Sequence, residues 1–165
     1  MRKFHLLNRK LIEQVTSKAA GAARKRINYN FHQLEDSSQR MLNAIEPESY
    51  VCPHRHVLPP KDEGFIILQG KGAVIFFDEK GAICDTCILD PATGQWGVDI
   101  PSGWYHTILS LEKGSVFYEA KTGPYVPSTD KDFAPWAPRE GNPIALEYLQ
   151  WLRQSVLNSI GAATS

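Results

Sequence analysis

Between Ser38 and Lys121 the chain breaks into short apolar runs divided by glycine, proline and charged residues, a texture that long helices cannot accommodate. Eight segments read as strands, at 39–45, 49–54, 63–69, 73–78, 82–89, 96–100, 105–111 and 115–121. Gly70-Lys71-Gly72, Glu79-Lys80-Gly81 and Glu112-Lys113-Gly114 fall between successive runs and supply glycine where a tight turn needs positive φ. Strands so closely spaced predict a mainly β jelly roll or barrel, an arrangement that also limits exposed sheet edges.

The flanks read differently. Asn8 is a candidate N-cap, and Leu11, Ile12, Val15 and Ala19 recur at helical spacing, so a helix is expected over 8–26. Its closing basic run, Arg24, Lys25 and Arg26, suits the negative end of a helix dipole and reads as structural. After Lys121 comes a stretch with five prolines and three aromatics, expected to be an ordered loop packed by its rings. Pro143 then opens a second helix, with Ile144, Leu146, Leu149, Leu152, Val156 and Ile160 close to one stripe and Gly161 at its end. That stripe is expected to pack on the barrel. The organisation predicted is a segment 1–37 lying on the barrel, a barrel over 38–122, and a loop and helix over 123–165.

Bulk properties bound the partners. Lys plus Arg and Asp plus Glu each number 18 among the 165 residues, so no charge excess draws the chain to nucleic acid or an anionic membrane. No run approaches the roughly 20 apolar residues of a membrane helix, and the first residues lack the apolar core of a signal peptide, so a cytoplasmic location is expected. Three cysteines are an odd number, which favours reduced thiols over a disulfide framework. Cys84 and Cys87 spell C-x-x-C, but only Cys52 remains to extend it, and the pair reads as ordinary strand residues on opposite faces.

The chemistry concentrates in two places. In Pro53-His54-Arg55-His56 two histidines at i and i+2 of an extended segment project from one face and can bind one ion. Glu63 heads the next strand, and Pro101-Ser102-Gly103-Trp104-Tyr105-His106 is a turn leading to a third histidine on a strand. Three imidazoles and one carboxylate suit a borderline divalent transition metal such as iron, manganese, nickel or zinc, with positions open if the geometry is octahedral.

This pattern, H-x-H, then Glu, then six residues and Gly, followed by P-x-G-x-x-H, resembles the two cupin motifs. The segments at 26–44, 53–56, 61–70, 100–106 and 118–140 are similar to the WbuC family of cupin-fold metalloproteins. The resemblance implies a double-stranded β-helix with His54, His56, Glu63 and His106 as metal ligands. It departs in two respects: six residues separate His56 from Glu63 where three or four are usual, and Ser110 stands where cupins commonly carry Asn. The loss at Ser110 is expected to touch pocket chemistry more than metal binding.

Strand alternation places Tyr50 and Cys52 with the histidines, and Phe65, Ile67 and Gln69 with Glu63, inside the barrel. Arg40, Tyr50, Lys61, Gln69, Glu119, Lys121 and Tyr125 are the candidate contacts for a small-molecule ligand, whereas His5 and His32 have no partners in sequence. The WbuC resemblance implies a role in bacterial surface-polysaccharide (O-antigen) biosynthesis, on a carbohydrate or sugar nucleotide. Isomerisation or epimerisation at the metal is one reading. An iron(II) dioxygenase and a non-catalytic binding module are the others, and a homodimer is an admissible assembly.

Overall fold

A computed structural model describes residues 4–128 and 130–163. The elements are α1 (Arg9–Gly21), β1 (Arg26–Asn30), β2 (Ser38–Ile45), β3 (His54–Arg55), β4 (Glu63–Gln69), β5 (Gly72–Phe77), β6 (Ile83–Leu89), β7 (Gly97–Ile100), β8 (Tyr105–Ser110), β9 (Ser115–Thr122), β10 (Asp132–Phe133) and α2 (Ala145–Ala163). A single 3-10 turn, Pro91–Thr93, joins β6 to β7.

Two five-stranded antiparallel sheets face each other, in the orders β1-β2-β9-β4-β7 and β10-β3-β8-β5-β6. Between them lies an apolar core that includes Ile45, Phe65, Ile67, Val74, Ile108 and Phe117. Alternate residues of the same strands point outward and are covered by helices. Leu42, Ala44 and Val116 meet Val15 and Ala19 of α1, whereas Ala73, Ile75, Phe77 and Tyr105 meet Leu149, Leu152 and Val156 of α2. This is the cupin jelly roll, with one helix on the outer face of each sheet.

Several expectations shift at their edges. Asn8 does cap α1, its Oδ1 accepting from the Leu11 N–H at 3.0 Å, but the helix stops at Gly21. Lys25 takes a positive φ of 54° and its ammonium donates to the Ala20 carbonyl at 2.8 Å, a cation on the helix C-terminus. The chain then forms β1, where Ile27 and Tyr29 alternate toward α1. The strand expected at 49–54 shrinks to His54–Arg55, because Pro53 has no N–H to donate to a ladder. The cysteines are free, Cys84 exposed and Cys87 half-buried. In α2, Ile144 just before the helix and Leu146 leave the apolar stripe for solvent, and Ala145 and Tyr148 take their place against the core.

Candidate metal centre

Three strands, β3, β4 and β8, bring four side chains to one point. β3 and β8 pair with His54 directly opposite His106, and β4 pairs with β9 with Glu63 opposite Lys121. His56 follows β3 on the same face. The six residues between His56 and Glu63 form a small excursion closed by a bridge between Val57 and Pro60, and β4 then starts at the carboxylate itself. The longer gap is absorbed in this turn.

All four side chains are buried, and one ligand atom from each lies within 4.8 Å of the others. Donor atoms about 2.1 Å from a shared ion stand about 3.0 Å apart when adjacent and about 4.2 Å when opposite. Glu63 Oε2 is 3.6 Å from His56 Nε2, and Glu63 Oε1 touches His106 Nε2. The spread therefore fits one ion after small adjustments.

The imidazoles are held in one orientation. Nδ1 of His54 bonds the Cys52 carbonyl at 3.0 Å, Nδ1 of His106 bonds that of Trp104 at 2.9 Å, and Nδ1 of His56 bonds that of Asp130. A carbonyl can only accept, so each Nδ1 carries the proton and each neutral ring presents a lone pair at Nε2. Nε2 of His56, Nε2 of His106 and Oε1 of Glu63 are buried without a hydrogen-bond donor among the described residues. Buried acceptors aimed at one another repel unless a cation or added protons stand between them. The donor set thus fits a metal ion.

Electrostatics agree with that reading. Burial, reinforced by the Lys131 ammonium and His106, holds the His54 imidazole well below its ordinary pKa, so it is neutral as a ligand must be. Burial works to raise the Glu63 carboxyl, but the neighbouring His106 and His56 rings outweigh it and hold it well below the usual carboxylate range.

His54, Glu63 and His106 line a cavity of about 490 Å³ that opens between the sheets. Of the expected ligand contacts, Glu119, Lys121 and Tyr125 line it. Arg40 does not, since alternation on β2 sends Gln39, Met41 and Asn43 inward and Arg40 outward, to a separate cleft of about 420 Å³ beside Phe4 and Phe31. Tyr50 belongs to the core under α2, where its hydroxyl donates to the Pro138 carbonyl at 2.7 Å. Lys61 is buried against Asp130 at 2.9 Å and the Pro124 carbonyl at 2.8 Å. Gln69 falls beyond a bulge after Ile67 that breaks the alternation, and it is exposed. Ser110 lies in the turn network with Glu112 and Ser115 rather than in the cavity. His32 is buried on the Arg40 backbone and reaches the cavity wall.

The cavity also contains residues without a local signal. Asn43 donates to Glu119, and Asp130 and Lys131 arrive on the proline-rich loop. The cross-strand register places Met41 opposite Glu119 and Glu63 opposite Lys121, so the polar lining of β9 lies next to the candidate metal-ligating positions.

Known structures repeat this fold. The capsular polysaccharide assembling protein CapF of Staphylococcus aureus superposes with a TM-score of 0.53 and 23% identity, over 66% of this chain and 31% of its own. The conserved SPY1581 protein of Streptococcus pyogenes gives 0.51 at 11% identity, over 76% and 93% of the two chains. TT1209 of Thermus thermophilus gives 0.51 at 15% identity, over 72% and 97%. The present chain thus spans about a third of the length of that CapF chain. No curated protein matches the sequence. The profile of the family described as a domain of unknown function, DUF6016, matches residues 7–89, just over half of the 165, and the chain belongs to that family.

Proposed function

We propose that this protein is a metal-binding cupin whose His54, His56, Glu63 and His106 hold one divalent transition metal, and whose cavity takes a small carbohydrate or sugar nucleotide in bacterial surface-polysaccharide assembly in the cytoplasm. The observation that carries the metal is the convergence of pinned imidazole lone pairs and an ionised carboxylate on the cavity floor. The carbohydrate reading draws support from the WbuC resemblance and from the likeness to a capsular polysaccharide assembling protein. Among the described residues no helix is long and apolar enough to cross a membrane.

A divalent ion in this setting supplies Lewis acidity to a carbonyl or hydroxyl oxygen, the chemistry of an isomerase or epimerase. The chain's own groups do the rest. His54, His56 and His106 keep their Nδ1 protons on backbone carbonyls, which fixes the ring planes. Glu119, fastened by Asn43, offers an acceptor to a ligand hydroxyl.

Elemental analysis of purified protein should find about one divalent metal per chain. His54→Ala, His56→Ala and His106→Ala should each lower that content sharply with unchanged far-ultraviolet circular dichroism. A metal content untouched by all three and by Glu63→Gln would refute the centre. Saturable binding of a nucleotide-sugar panel, lost in His106→Ala, tests the ligand class, and product formation separates an enzyme from a binding module.

A further inference from the structure

Lys121 and Lys131 line the cavity and Lys61 lies behind it on Asp130, and two of these three lysines are spoken for. Lys61 donates to Asp130 and to the Pro124 carbonyl, and Lys121 stands 3.1 Å from Asp130 and 3.5 Å from Glu119. The third, Lys131, lines the cavity at the head of β10 and makes no hydrogen bond or ion pair with any described residue. Its charge is close enough to the centre to act on His54. Burial and then the neighbouring Lys121 hold its own pKa below that of an ordinary lysine, although Glu119, Glu63 and Asp130 act to raise it from beyond ion-pair distance.

The charges around the centre show what is missing. Among the described charged groups that line the cavity or pair with its lining, Glu63, Glu119, Asp130 and Glu140 face Lys61, Lys121, Lys131, Arg24 and Arg26, so a divalent ion would add positive charge that these carboxylates do not neutralise. A neutral ligand would leave that charge buried and uncompensated, at a considerable cost. An anion would resolve it, with one oxygen able to bind the ion held by His54, His56, Glu63 and His106 and another to accept from the Lys131 ammonium.

The geometry points to Lys131 as the receptor for an oxyanion of the ligand, which makes the substrate class an acidic sugar or comparable small acid rather than a neutral sugar. This assignment rests on the metal centre proposed above. The oxyanion is a carboxylate or a phosphate, and both take the same contact.

Calorimetric titration of manganese-loaded protein with D-glucuronate, D-glucose 6-phosphate and D-glucose tests it, since the three share a ring and differ in the oxyanion. One of the two acids should bind at least about ten-fold more tightly than glucose, and which one names the oxyanion. Lys131→Met and Lys131→Gln should erase that preference with metal content unchanged, and Lys131→Arg should retain most of it. Equal binding of all three, binding of none, or a preference that survives in both neutral variants overturns the assignment. Elemental analysis of the same samples keeps the two readings apart. A Lys131-dependent preference in protein that takes up no metal overturns the centre and leaves Lys131 standing; metal-replete protein without the preference does the reverse.

Discussion

Asp130 ties the proline-rich loop to the candidate metal centre through both its side chain and its backbone. Its carboxylate takes the buried ammonium of Lys61 at 2.9 Å and that of Lys121 at 3.1 Å, and its carbonyl holds His56 Nδ1. Removing one partner of a buried pair leaves the other charge short of compensation, and here Lys121 remains to soften the loss. Lys61→Met should therefore cost about 2–3 kcal/mol in urea denaturation. It should also weaken metal binding by about ten-fold through the slackened His56 ring. A variant with wild-type metal affinity would show that the loop does not position His56. Burial acts to raise the Asp130 carboxyl, but Lys121 and Lys61 outweigh it and hold its pKa below that of an ordinary aspartate. A folded-state pKa below the unfolded one gives stability that is present above about pH 4 and lost as pH falls through the folded value. The urea midpoint of Asp130→Asn should accordingly depend less on pH below about 4 than that of the wild type. The four residues that converge at the candidate metal site could be picked out in the sequence because the histidines lie in short motifs and Glu63 heads the next strand. Lys131 and Asp130 could not, since their position depends on how an aperiodic loop returns to the barrel.

At the scale of elements, the glycine-punctuated strands from β4 to β9 were readable to within a residue or two at most ends, because turn chemistry and apolar runs coincide there. β1 was hidden by the helical reading of the basic run before it, although Ile27 and Tyr29 already alternate. The Gln69 placement failed at the bulge after Ile67, a register change without a residue signature in this segment. Gly97 shows how tightly the β4–β7 pair is closed: a Cβ there would stand 2.3 Å from the Phe65 carbonyl oxygen and 3.3 Å from the Ile66 Cα. Both contacts are backbone atoms of the partner strand, which cannot step aside without opening the ladder. Gly97→Ala should cost about 2 kcal/mol and loosen the strand that leads into the turn before His106. Hydrogen exchange should show the loss of protection concentrated in β4 and β7; an unaffected pair would mean that the strands shift more easily than their packing implies.

Across the whole molecule, each sheet owes its outer cover to a helix, and α2 covers the sheet that carries His54 and His106. The cover is not uniform. Leu152 and Val156 are fully buried against the cluster of Phe77, Tyr105 and Leu109, whereas Trp151 and Leu157 on the same helix are 46% and 51% exposed. Leu152→Ala removes a side chain with no room for its neighbours to collapse fully, and should cost about 3 kcal/mol. Leu157→Ala should stay within about 0.5 kcal/mol of wild type. Equal costs would mean that α2 is held by something other than this face. The same packing argues against a detachable tail: deletion from Asn142 onward uncovers an apolar sheet face large enough to drive association. The truncated chain should aggregate or melt far below the full-length protein. Because His54 and His106 lie on strands under that helix, metal content should fall with stability in the truncation yet persist in Leu157→Ala. A truncated chain that stays monomeric, melts like the intact protein and keeps its metal would show that the barrel needs no second helix.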